Sequence, residues 1–119
     1  DPTGITSAVL YRPVGEKELA LIAASGYRVF PPRLDWQPIF YPVANEEYAR
    51  QISRDWNAKD GKHGYVTRFQ VDVEYLAAFE LHTVGSAIHQ EYWIPAQELD
   101  EFNRHLVGEI EIIADYSSQ

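Results

Sequence analysis

Polar and apolar residues alternate over residues 65–73. Tyr65, Thr67, Phe69, Val71 and Val73 face one way, and Val66, Arg68, Gln70 and Asp72 the other. That period of two predicts a strand with one buried face. Residues 7–12 predict an earlier strand, ended by Pro13 and Gly15. Residues 16–25 follow as a helix, with acids in the first turn and Gly26 just beyond its end. Residues 27–37 contain Pro31-Pro32, have no clear period and are expected to be a loop.

Residues 38–43 read as extended, and the flanking Pro38 and Pro42 suggest a sheet edge. Asn45 is a natural N-cap for a helix over residues 46–56, whose Tyr48, Ala49, Ile52 and Trp56 form one stripe. A polar turn with Asp60-Gly61 spans residues 57–64. One helical turn is expected over residues 74–78, then strands over residues 79–84 and 88–94, the second opened by Gly85-Ser86. Pro95 suits the first turn of a helix with the stripe Leu99, Phe102 and Leu106, ended by Gly108. Residues 109–116 alternate into a last strand, with Ile110 and Ile112 on one face. The sum is about six strands and three helices, neither strictly alternating nor segregated. It predicts an α+β fold in one compact domain with a curved, mainly antiparallel sheet.

Composition narrows the chemistry. The chain has 119 residues, enough for one ordinary domain with its own core. No apolar run approaches the roughly 20 residues of a membrane helix, so no membrane partner is expected. There is no cysteine, which removes disulfides, thiolate chemistry and cysteine-based zinc sites. There is no methionine either, and residues 1–8 read as a tag remnant or flexible N-terminus before a domain over residues 9–119. The lack of a visible signal segment leans towards the cytoplasm.

The net charge of −8 is uneven, with seven acids against Arg104 alone between Glu91 and Asp115. A polyanion is a poor partner for that balance, and no nucleic acid is expected. A small anion held by a few arginines remains compatible with it. Phosphate-binding glycine motifs are missing, because Asp60-Gly61-Lys62 lacks the upstream glycine and the following hydroxyl. No nucleophile elbow of the G-x-S-x-G type occurs. His89-Gln90-Glu91 begins like a zinc-deaminase motif, but the cysteines that site needs are absent. His63, His82, His89 and His105 contain no HExxH pattern, and no metal is expected.

Two charged positions stand out. Glu91 lies inside His89-Gln90-Glu91-Tyr92-Trp93-Ile94-Pro95, where a charge is costly unless exposed, paired or used. It is either a solvent-facing strand position or the working acid of a cleft. Alternation gives it a face shared with His89 and Trp93, with Ile88, Tyr92 and Ile94 opposite. Arg12 ends the first strand, either as a planar fork for phosphate or carboxylate or as a long stem covering the core.

The run of Leu10-Tyr11-Arg12-Pro13, Ile39-Phe40-Tyr41, Asn45-Glu46-Glu47-Tyr48-Ala49 and His89-Gln90-Glu91-Tyr92-Trp93-Ile94-Pro95-Ala96 resembles a group of small bacterial proteins. They carry the label "ADP-ribosylation/crystallin", and the resemblance covers nearly the whole chain. The layout also resembles the mono-ADP-ribosyltransferase fold of many small toxin domains. That resemblance implies a split, curved sheet holding NAD as substrate, without a metal. It further implies transfer of ADP-ribose, or hydrolysis of NAD, at the nicotinamide–ribose bond. In that pattern Arg12 matches the arginine of the first strand and Glu91 the catalytic glutamate of a late strand. Tyr11, Arg12, Phe40, Tyr41, His89 and Arg33 are the expected NAD-binding residues, with Arg28 as a further helper and Tyr41 stacking on nicotinamide. The family's Ser-Thr-Ser is replaced by Phe40-Tyr41-Pro42, and His89 stands where arginine-type members have Glu or Gln. The alternative is a non-catalytic module of the same fold that binds a nucleotide or a protein. A protein acceptor for ADP-ribose is left open.

Overall fold

The computed structural model describes residues 6–32, 38–57, 63–83 and 90–117. Strand β1 (Ser7–Gly15) runs directly into helix α1 (Glu16–Ala24). After β2 (Ile39–Phe40) comes α2 (Glu46–Ile52), which widens into a π-type turn over Ser53–Asn57. Strand β3 (His63–Asp72) leads into the short α3 (Val73–Leu76). Three short strands follow, β4 (Leu81–Thr83), β5 (Gln90–Tyr92) and β6 (Ile94–Pro95). A 3₁₀ turn over Ala96–Glu98, helix α4 (Leu99–Arg104) and strand β7 (Leu106–Ser117) complete the described chain. The fold is α+β, and every strand pairing among the described residues is antiparallel. Among the described residues no helix is long and apolar enough to cross a membrane.

The central sheet has the order β1-β3-β7. Along β1, Leu10, Arg12 and Val14 are buried on one face, while Tyr11 turns to the other. The strand passes through Pro13, which pairs with Val66, instead of stopping there. An edge strand tolerates the missing N–H. Ser7 and Ala8 already pair with Asp72 and Val71, so they belong to the sheet and not to a tail.

The larger core joins Leu10, Val14, Phe69, Val71 and Ile110 of this sheet to Ile22 of α1 and to Phe102 of α4. Its centre is aromatic. Phe30 meets Phe40 at 5.0 Å and Phe69 at 4.8 Å, and Phe40 meets Phe102 at 5.4 Å between ring centres. A smaller cluster of Val43, Ala49 and Val66 seats α2, with Tyr11, Tyr48 and Ile113 packed around it.

A second ladder carries the candidate site. Residues 38–44 run antiparallel to residues 90–96, bonded through Ala96 N to Pro38 O (2.8 Å), Tyr92 N to Pro42 O (2.8 Å) and Ala44 N to Gln90 O (2.9 Å). Val43 also exchanges both backbone bonds with Tyr11, at 2.9 and 2.8 Å. It therefore bridges β1 on one side and Glu91 on the other. Beyond Glu91, β4 pairs with β5, with His82 opposite Glu91. One continuous antiparallel path thus links β1 to the acidic strand.

Several expected elements differ. The strand expected over residues 88–94 is broken at Trp93 into β5 and β6, and the helix after Pro95 stops at Arg104. Leu106 and Gly108 belong to β7 instead, Gly108 with φ +81°. Ile110 is buried, but Ile112 is 42% exposed. A bulge leaves Ile113 between the pairs Thr67↔Ile112 and Val66↔Ala114, and Ile113 packs on the smaller cluster. Such a bulge re-aims side chains that strict alternation would assign to one face. Most of the expected 57–64 turn, including Asp60-Gly61, and the Trp56 side chain lie outside the described residues.

Candidate functional site

Glu91 sits in the middle of β5, and neutral donors engage both its oxygens. The Tyr48 hydroxyl donates to Oε1 at 3.1 Å, and the Trp93 indole Nε1–H donates to Oε2 at 3.0 Å. No cationic side chain pairs with this carboxylate among the described residues. Tyr48 reaches it from the first turn of α2, whose start is set by the Asn45 side chain accepting from Tyr48 N at 3.1 Å. Ala49, fully buried, holds that helix against the sheet. The Tyr48 phenol is raised above its ordinary range, first by burial and then by the charge and hydrogen bond of Glu91.

Trp93 lies between β5 and β6. Tyr41 projects from the facing segment, with ring centres 6.4 Å apart and planes nearly perpendicular at 85°. Both rings keep exposed surface, 39% for Tyr41 and 42% for Trp93. His82 covers one face of the indole, stacked at 3.8 Å and 10°. The result is a carboxylate bordered by aromatic surface, much of it open to a ligand.

Arg12 borders the same cavity as Tyr41 and Glu91 from within β1, three residues before its end. Its guanidinium lies over the Phe40 ring at 4.5 Å and forms a bidentate pair with Glu18 of α1. Nε bonds Oε2 at 2.6 Å, and Nη2 bonds Oε1 at 2.9 Å. Burial of an arginine with only 8% exposure is tolerable because both the charge and the fork are matched. The neighbouring Thr67 hydroxyl donates to the Arg12 carbonyl at 2.9 Å, tying this part of β1 to β3.

Arg12, Tyr41 and Glu91 line one cavity of about 290 Å³, together with Pro13, Val43 and Ile52. Three segments distant in sequence therefore border one cavity, although Arg12 lies inside β1 and not at its end. Phe40 does not reach the cavity surface. It is 1% exposed, a core ring because residues at alternate strand positions face opposite ways, and it supports Arg12 from below. Tyr11, expected beside the ligand, packs in the smaller cluster and contributes backbone bonds to Val43. Arg33 and His89 lie outside the described residues.

A larger cleft of about 780 Å³ lies elsewhere, between the 28–32 segment and α4. Arg28, expected to assist at the NAD site, lines this cleft and faces Glu109 at 3.9 Å. Neither Arg12, Tyr41 nor Glu91 borders it, so size and chemistry part company here. Sequence reading missed Tyr48, Glu18 and His82 as neighbours of the site. Tyr48 looked like one more ring in a helical apolar stripe, and nothing in the local pattern announces a contact across 43 positions. Trp93 was legible, since alternation put it on the face of Glu91.

Comparison of the chain with protein-family models, curated proteins and solved structures gives no match.

Proposed function

We propose that the cleft between Arg12, Tyr41 and Glu91 takes the nicotinamide–ribose end of NAD, and that Glu91 promotes cleavage of the bond joining them. The observation that supports this most is that Arg12, Tyr41 and Glu91, from three separate segments, line one cavity. At about 290 Å³ it matches the lower end of ordinary ligand pockets, roughly 300–1,000 Å³. It would receive a ring and part of its sugar, leaving the rest of the dinucleotide on the surface. In the reaction the ribose–nitrogen bond breaks, and nicotinamide leaves neutral with the bonding electron pair. Positive charge develops on the ribose. A carboxylate fixed beside that charge lowers the barrier electrostatically, as in glycoside cleavage. Water or a nucleophile on a protein acceptor then takes the ADP-ribosyl group and gives up a proton.

The fit can be tested by adding NAD to isotope-labelled protein. Amide resonances of Tyr41, Val43 and Glu91 are expected to move together. Movement confined to Arg28, Asn103 and Arg104 would put the ligand in the other cleft and remove this reading.

One observation favours the non-catalytic alternative. The Arg12 fork is already satisfied by Glu18, so a pyrophosphate meets a neutralised arginine. On that reading ADP-ribose or NAD binds, and calorimetry detects heat while no nicotinamide appears.

A further inference from the structure

The hydrogen bonds around Glu91 suggest more than a bare acid in a cleft. A glutamate on a partly exposed strand has three side-chain torsions and ordinarily samples several staggered positions. Here its two oxygens accept from two different parts of the fold, the Tyr48 O–H on α2 and the Trp93 N–H at the β5–β6 break. An ionised carboxylate is an acceptor only, so donors on both oxygens define the plane of the group as well as its position. Each donor is fixed in turn. Tyr48 is held through the Asn45 cap and the buried Ala49 beside it, and Trp93 through the stack with His82.

We infer that Tyr48 and Trp93 are the positioning residues of this site, clamping the Glu91 carboxylate at the angle at which it meets its ligand. The inference rests on the proposed reaction for its kinetic consequence, while the clamp itself is independent of any substrate. Neither residue need touch the reacting bond. Their work is to remove the search of the glutamate for its geometry, and displacement of a reacting group by about 1 Å can cost on the order of a hundredfold in rate. Tyr48 also reports on the contact, because the charge and hydrogen bond of Glu91 help to raise its ionisation.

The test combines kinetics with a readout that needs no activity. Tyr48→Phe keeps the ring and removes only the hydroxyl. In that variant kcat for nicotinamide release falls roughly ten- to hundredfold, while KM for NAD changes by less than about threefold. Trp93→Phe behaves in the same direction. Equal kcat in both variants and wild type, or a change confined to KM, overturns the positioning role.

Carbon-13 labelled tyrosine and the nitrogen-15 indole resonance supply the second readout, in wild type and in Glu91→Gln. Glutamine offers one acceptor oxygen in place of two. Tyr48 is therefore expected to ionise at lower pH and the Trp93 N–H resonance to move. If both stay where they are in wild type, the clamp does not exist. Should wild type release no nicotinamide, the NAD reading falls while this measurement still decides the clamp.

Discussion

Arg12 and Glu18 grip one another through two parallel hydrogen bonds, at 2.6 and 2.9 Å, across the junction of β1 and α1. The helix begins immediately after Gly15, so its first turn swings Glu18 back over the strand end. The pair is mostly withdrawn from water, with side-chain exposures of 10% and 21%. Removing one partner strands the other charge. Glu18→Ala is expected to destabilise the fold by about 2–3 kcal/mol in urea unfolding. A loss below about 0.5 kcal/mol would mean that the pair behaves as an ordinary surface ion pair.

Glu18→Gln keeps an acceptor and most of the packing but leaves Arg12 with an uncancelled charge beside the cleft. ADP-ribose is expected to bind this variant more tightly than wild type, measured by calorimetry. Equal or weaker binding would show that the phosphates do not approach Arg12.

Asn103 anchors the 27–30 segment as a strand would. Its Oδ1 accepts from Phe30 N at 2.9 Å, and its Nδ2 donates to Phe30 O at 3.0 Å. Asn103→Ala leaves a backbone donor and acceptor without these partners beside the aromatic core. The expected cost is about 2–3 kcal/mol, with faster amide exchange at Phe30. Unchanged exchange there would contradict the anchoring role.

Tyr75 gives a pH dependence at the alkaline end. Its phenol is pushed up to about 12, first by burial and then by the charges of Glu98 and Glu101 and a hydrogen bond to Glu98. The folded value exceeds the unfolded value of 10.0, so the folded state holds this proton more tightly. The contribution to stability is complete below pH 10 and disappears as pH rises through about 12. Tyr75→Phe should flatten the loss of stability between those limits in pH-dependent unfolding. An equally steep loss in the variant would assign it to other groups.

Local pattern carried much of the architecture, because strand period, Asn45 capping and the glycine after α1 act within a few residues. The Asn45 cap and the α1 stop at Gly26 form as the sequence suggests, Gly26 adopting φ +78°. What local pattern could not reach was anything set by register. The pairing of residues 90–96 depends on the distant 38–44 segment, and the partial burial of Ile113 depends on a bulge against β3. The site divides in the same way. Glu91, Tyr41 and Arg12 stood out by residue type and place on their strands. Tyr48 and Glu18 did not, because a tyrosine in an apolar stripe and an acid in a first helical turn are both ordinary. Phe40 is expected in the site as part of the Phe40-Tyr41-Pro42 that replaces the family's Ser-Thr-Ser, but it turns into the core because adjacent strand positions face opposite ways.

The most direct measurement is nicotinamide release from NAD by purified wild type and Glu91→Gln, with both variants checked for equal folding by circular dichroism and urea titration. Wild type is expected to release nicotinamide, and Glu91→Gln to lose at least about a hundredfold in kcat. Equal release by the two proteins, or none from wild type under saturating NAD, would contradict a catalytic Glu91.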